Sequence, residues 1–336
     1  MVSQLKPPFP AGLVLDRWHW LLLLLIGLMG SCLVALMFGS IAINPLALMR
    51  ALMRQGSELH QTVIWDLRLP RLATAVAVGS ALGMAGALLQ GMLRNDLADP
   101  FILGISSGAG LVAIALITLN LFLIWLPLAA WVGALFTSLV VFSLGKTAMG
   151  ITVERLILAG VAVSAFLGAI QTVLLLFSED SRLQTALNWL IGSLNGRGWA
   201  DLIPVLPYIL VSLLLGCFLG RLINLLNLGD EMAAGLGVNL GRSRLLIASV
   251  AALLAASSVS VAGLIGFIGL VVPHGVRLVV GHDYTWVIPL SAVAGAWVLV
   301  LTDSLARLGS VELPVGAITA LLGAPTFIVL LYRRSV

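Results

Sequence analysis

Ionisable side chains are spaced so far apart along this chain that long uncharged runs separate them, and this spacing constrains the fold more than any other feature. An apolar helix needs about 20 residues, rising about 1.5 Å each, to cross a hydrocarbon core of ~30 Å. Arg17 to Arg50, Arg71 to Arg94, Arg155 to Glu179, Asp201 to Arg221, Asp283 to Asp303 and Glu312 to Arg333 each bracket a run that holds one span. Between Asp99 and Lys146 the run is too long for one helix and breaks around Asn120 to Pro127, which reads as a turn between two. Arg244 to Arg277 also exceeds one helix. Gly263, Gly266, Gly269 and Pro273 punctuate its second half, so a full helix should be followed by an irregular turn and a short helix near 270–281.

The reading is an all-α polytopic membrane protein, one transmembrane domain over 1–336. Its ten spans fall near 18–41, 70–92, 99–119, 123–144, 154–177, 201–221, 244–263, 270–281, 286–304 and 313–332. Composition agrees: 10% of residues are charged and 60% hydrophobic, against roughly 25% charged in a soluble domain. The longest polar connections, 44–68, 178–201 and 224–244, are too short to fold alone, so whatever powers or directs this protein is another chain. The 18 Lys and Arg are scattered singly, which argues against a nucleic-acid partner. Cys32 and Cys217 sit in apolar stretches, and His19, His60, His274 and His282 lack close pairing, so no disulfide framework or metal site is expected.

With ten spans both termini share one side, and that side should hold the excess of cations. Placing both in the cytoplasm puts Lys6, Arg17, Arg94, Lys146, Arg155, Arg221, Arg242, Arg244, Arg277, Arg333 and Arg334 there. The first apolar run is too long for a signal-peptide core and lacks a small-residue cleavage site, so it reads as a retained span.

Catalytic motifs fail on inspection. Gly145-Lys146-Thr147 lacks the earlier glycine of a phosphate loop, since Val140 stands there, and no strand precedes it. The pairs Gly104/Gly108 and Gly79/Gly83 read as places where helices approach closely. No carboxylate is forced into the middle of a span, which argues against a proton-driven carrier, and no nucleophile has a base beside it, so no enzyme is expected. The helix after Arg68-Leu69-Pro70-Arg71 carries Gly79, Ala81, Gly83, Ala85, Gly86, Ala87 and Gln90. Such residues suit either a weakly sticky passage or a tightly packed helix, and Ser164 and Gln171 on the fifth span leave the same choice open. Shifting the sequence by 173 residues aligns Arg71 with Arg244 and Pro100 with Pro273. The identities are close to chance, yet the two copies enter from opposite sides, as an inverted repeat does. The connection Leu228 to Asn239, broken by Gly235 and Gly237, suits a small docking helix for a cytoplasmic partner.

Arg68-Leu69-Pro70-Arg71, Arg94-Asn95-Asp96-Leu97-Ala98-Asp99-Pro100, the Gly229–Gly237 loop, Gly266-Phe267-Ile268-Gly269-Leu270-Val271-Val272-Pro273-His274 and Glu312-Leu313-Pro314-Val315-Gly316 together resemble the permease subunits of the FecCD family. The resemblance implies the type II ABC importer permease fold, with ten transmembrane helices and an inverted repeat, in a bacterial inner membrane. It further implies two permease subunits, identical or paralogous, two cytoplasmic ATPase subunits carrying ATP and Mg, and a periplasmic substrate-binding protein; this chain binds no cofactor. Arg68, Arg71 and Arg307 would receive acidic residues of the binding protein. Asn95 and Leu97 would form the inner gate, with Gln90, Ser164 and Gln171 along the pathway. Gly229, Asp230, Glu231, Ala233, Ala234, Gly235, Leu236 and Gly237, within loop 227–241, would couple to the ATPase. The implied cargo is an iron(III)-siderophore, with haem or vitamin B12 as alternatives; a secondary transporter or channel is the distant alternative. Asp96 departs from the family, which more often has Pro after the Asn.

Overall fold

A computed structural model describes residues 16–39, 41–147, 150–151, 153–309 and 311–334; Lys6, counted above among the cytoplasmic cations, lies outside them. The helices are α1 (Arg17–Met37), α2 (Pro45–Leu52), α3 (Glu58–Thr62), α4 (Leu69–Leu93), α5 (Ile105–Thr118), α6 (Leu126–Gly145), α7 (Val153–Leu176) and α8 (Asp180–Ile191). They continue as α9 (Trp199–Leu202), α10 (Leu206–Phe218), α11 (Gly220–Asn227), α12 (Asp230–Gly235), α13 (Leu240–Ala262), α14 (Ile268–Val280), α15 (Tyr284–Ala306) and α16 (Val315–Arg334). A π-helical turn, Val63–Arg68, leads into α4. Among the described residues the only strand pairing is a two-residue bridge, Lys146–Thr147 with Gly150–Ile151.

Among the described residues, six helices are long and apolar enough to cross a membrane unaided, α10 and α11 reach that length and apolarity only as a pair bent by 48°, and α5, α14 and Val315–Ile328 are shorter apolar helices. The expected breaks are present: α5 ends at Thr118 and α6 begins at Leu126, and α13 stops at Ala262 before the short α14. The sequence reading overlooked α8, which lies in a connection rich in polar residues.

The core is built around α4, which is buried along nearly its whole length. It runs antiparallel to α15. A Cβ placed on Gly83 would lie 2.2 Å from the Ser291 carbonyl oxygen, and one on Gly79 would lie 2.4 Å from that of Gly295. Only hydrogen at those positions lets the two backbones touch, which is how helices associate where lipid is as apolar as the side chains. Gly108 serves α5 against α6 in the same way, 2.5 Å from the Gly133 carbonyl oxygen for a Cβ placed there. The choice left open for the small residues of α4 is thereby decided: they pack.

Candidate functional site

Because α4 and α15 are antiparallel, each end of the pair collects charges from segments distant in sequence. At one end, the Arg71 guanidinium is held by Asp303 at 2.9 Å and by Glu312 at 3.1 Å, and Arg307 reaches the other Asp303 oxygen at 3.3 Å. Asp303 is almost completely buried, so its charge is balanced by two cations at once. Arg71, Arg307 and Glu312 border a cleft of about 450 Å³ that Asp66, Arg68, Asn195 and Arg197 also line, and Arg197 pairs with Asp201.

Arg68 corrects the sequence expectation. It is buried, and its guanidinium donates to the carbonyl of Leu36 at 2.6 Å and to that of Ile41. A head group committed to two carbonyls ties the end of α1 to the start of α4 at the edge of the same cleft. Gln90 is the second correction. It is fully buried, and its amide nitrogen donates to the carbonyls of Ala98, Gly269 and Leu270 at 3.1–3.2 Å. It pins the break after α4 to the start of α14. Ser164 and Gln171 are half-buried and both meet Ser107 of α5: the Ser107 hydroxyl donates to Ser164 Oγ at 3.1 Å, and Gln171 donates to the Ser107 carbonyl at 2.8 Å.

At the opposite end, α4 stops at Arg94, whose backbone is left-handed. Asn95 to Ala98 then form a tight turn in which the Ala98 N–H donates to the Asn95 carbonyl at 3.1 Å and the Leu97 N–H donates to the Asn95 side chain at 2.9 Å. Leu97 projects at its tip, half exposed. Beside this turn lies α12, entered at Gly229 and left at Gly237, both with positive φ, so the short helix stands off between two sharp corners. Asp230, its first residue, is paired with Arg94 and, at 2.8 Å, with Arg244 of α13. Partial burial works to raise the Asp230 pKa, but the hydrogen bonds and charges of Arg244 and Arg94 outweigh it and hold the carboxyl below its ordinary value.

Of the docking residues expected from the sequence, Ala233 is fully buried and anchors α12, whereas Glu231, Ala234, Gly235, Leu236 and Gly237 are exposed. A Cβ on Gly229, Gly235 or Gly237 would meet nothing within 4 Å. The sequence reading passed over Met232. With Leu228 and Leu236 it forms an exposed apolar row spaced four residues apart, a pattern that was legible in the sequence.

This architecture is that of an ABC importer permease: over 94% of this chain and 99% of the other, it matches an inward-facing conformation of a metal-chelate type ABC transporter with a TM-score of 0.85 and 30% identity. The sequence narrows the class further. The FecCD transport family matches residues 23–333, and the chain belongs to that family. It is similar to the hemin transport system permease protein HmuU of Yersinia pestis, 40% identical over 93% of this chain and 96% of the relative. It is similar also to the cobalamin import system permease protein BtuC of Halobacterium salinarum, 42% identical over 83% of this chain and 76% of the relative. The protein is thus a multi-pass membrane permease that works with ATPase and substrate-binding partners.

Proposed function

We propose that this chain passes an iron(III)-siderophore across the bacterial inner membrane by alternating access driven by ATP hydrolysed on a partner. The observation that carries the mechanism is the Arg94–Asp230 ion pair. It joins the first residue of α12 to the residue that opens the Asn95–Leu97 turn, so displacement of one is felt by the other without an intervening soft segment. In this reading the Asp230 end and both chain termini face the cytoplasm, and the Arg71 end faces the periplasm. The exposed Leu228, Met232 and Leu236 row seats in an ATPase. ATP and Mg belong to that partner, and none of the residues described here is assigned a cofactor.

The complex has two permease subunits, two ATPases and one binding protein. A second permease is supported by α7, an apolar helix barely covered within the chain, where a Cβ on Gly168 would meet nothing within 4 Å. At the periplasmic rim, Arg71 and Arg307 receive acidic side chains of the binding protein, with Arg68 holding their platform in place. Such contacts steer and register the encounter. Asn95 and Leu97 form the inner gate, and Ser164 and Gln171 stiffen the uncovered helix beside the passage.

The metal-chelate structural relative and the hemin permease favour an iron chelate. Haem is the second reading because of the hemin relative, and the cobalamin permease keeps vitamin B12 in the comparison. The test is purification of the tagged chain from its native membrane, followed by reconstitution with whatever ATPase and binding protein accompany it. ATP-dependent uptake of a ferric siderophore, with little uptake of haem or cobalamin, is expected. Uptake of haem or cobalamin instead overturns the cargo assignment, and transport without an ATPase overturns the mechanism.

A further inference from the structure

The Asn95–Leu97 turn is held from a second direction. Arg277 of α14 is buried, with its side chain 3% exposed, and its guanidinium lies 3.1 Å from the Asp96 carboxylate, itself 20% exposed. Tyr284, at the start of α15, lies beside Arg277 and against Gly91 of α4, close enough that a Cβ on Gly91 would come within 2.6 Å of its ring. A buried guanidinium without a carboxylate opposite it is costly, so this pair fixes where the turn can sit.

The backbone shows that Asp96 is not needed to make the turn. Asn95 and Ala98 close it with their i to i+3 hydrogen bond, which places Asp96 at the second position, where proline is favoured and a carboxylate has no turn-forming task. The Asn95 side chain, accepting from the Leu97 N–H, supplies further closure. What Asp96 adds is the charge that Arg277 meets.

The two ion pairs on this turn differ in kind. Arg94 pairs with Asp230 on a docking helix that stands off from the bundle, and both side chains are more than a third exposed. Asp96 pairs with a buried cation on α14, whose first turn is bound through Gly269 and Leu270 to Gln90 of α4. One contact is therefore to a movable part and the other to the body of the subunit.

We propose that the Asp96–Arg277 ion pair is the latch of the inner gate: it holds the Leu97 turn against α14, and motion of α12, transmitted through Arg94, must break it for the gate to move. This rests on the gate reading given above.

The test uses the assembled complex in proteoliposomes, with Leu97→Cys introduced alongside Cys32→Ser and Cys217→Ser. The readout is labelling of the thiol at position 97 by a membrane-impermeant maleimide from the ATPase side, at rest and with ATP and vanadate. Asp96→Asn removes the charge at nearly constant shape, and Asp96→Pro removes it while favouring the same turn. Both are expected to raise resting labelling about tenfold and to raise ATP hydrolysis without binding protein, the scale of one partly buried ion pair. Parent-like labelling in Asp96→Pro overturns the latch, because the turn alone then positions the loop. Parent-like labelling in both variants overturns it as well. If the parent itself shows no change in labelling with ATP and vanadate, the gate assignment fails, and the latch fails with it.

Discussion

The two charged ends of the α4–α15 pair are built on opposite principles. At the Arg71 end every strong pair lies among helix ends that already pack together, and its acidic centre, Asp303, is buried between two arginines. At the Asp230 end the pairs tie short segments outside the long helices to the bundle: α12 to the end of α4, and the Leu97 turn to α14. The first arrangement makes a rigid platform whose cations arrive already balanced. The second makes joints. A permease that must accept a partner on one face and transmit a stroke from the other needs this asymmetry, because the half-exposed Arg94–Asp230 pair can open at modest cost whereas a buried network cannot.

The contrast can be broken most severely at Asp303. Asp303→Ala removes the carboxylate that Arg71 and Arg307 share and leaves only the more exposed Glu312 against Arg71, and a loss of ~3 kcal/mol of stability is expected, read as a fall in thermal unfolding temperature of the purified chain. Asp230→Asn should do the reverse, leaving stability nearly intact while ATP hydrolysis loses its link to transport. Uptake per ATP is expected to fall about tenfold in proteoliposomes, since a mechanical joint of roughly 1.4 kcal/mol is lost. Coupling that stays normal in Asp230→Asn would show that α12 does not act through Arg94.

Reversing Arg71 and Arg307 together to Glu should weaken binding-protein docking, again about tenfold at low salt and less at high salt, because charges that line an open cleft are screened. Arg68→Gln should instead lower stability, since its guanidinium serves the carbonyls of Leu36 and Ile41.

The smallest effect belongs to the exposed cluster at Asp283. Desolvation pushes its pKa upward, but hydrogen bonds from Thr285, Asn224 and Arg17 prevail and hold the carboxyl at about 2, below its ordinary 3.8. A carboxylate with a depressed folded pKa adds stability above its unfolded pKa and loses it as pH falls through the folded value. That contribution should persist through neutral and mildly acid pH and fade between about 4 and 2. Arg17→Gln should remove less than ~1 kcal/mol, given how exposed the pair is. Unfolding midpoints measured across that pH window check both statements.

Much of this molecule was legible in its sequence because lipid imposes a simple rule. A backbone that must satisfy its own hydrogen bonds becomes helix, and charges mark where helices end. The long apolar helices, the breaks near Asn120 and Gly263 and the close approaches at Gly79 and Gly83 follow from that rule and from glycine spacing. Arg68 and Gln90 were misplaced for a common reason. Both are polar residues at helix ends, and sequence does not say whether such a group turns toward water, a partner or a neighbouring carbonyl. Asp96 drew notice in the sequence as an unusual residue in its turn, and only the folded chain supplied Arg277, 181 positions away, as its partner.

The sequence by itself determined that this chain is a bundle of membrane helices with charges near their ends. It could not rank the helices. The most apolar 18-residue stretches of Glu58–Leu93 and Glu154–Leu176 have mean hydropathies of 1.9 and 2.1 and both helices carry small residues, yet the first stretch is 78% buried and the second 11%. Hydrophobicity cannot separate them, because leaving a leucine in lipid costs about as little as packing it in protein. The tertiary structure separated them by fit: Gly79 and Gly83 meet the backbone of α15, while Gly168 of α7 meets nothing within the chain.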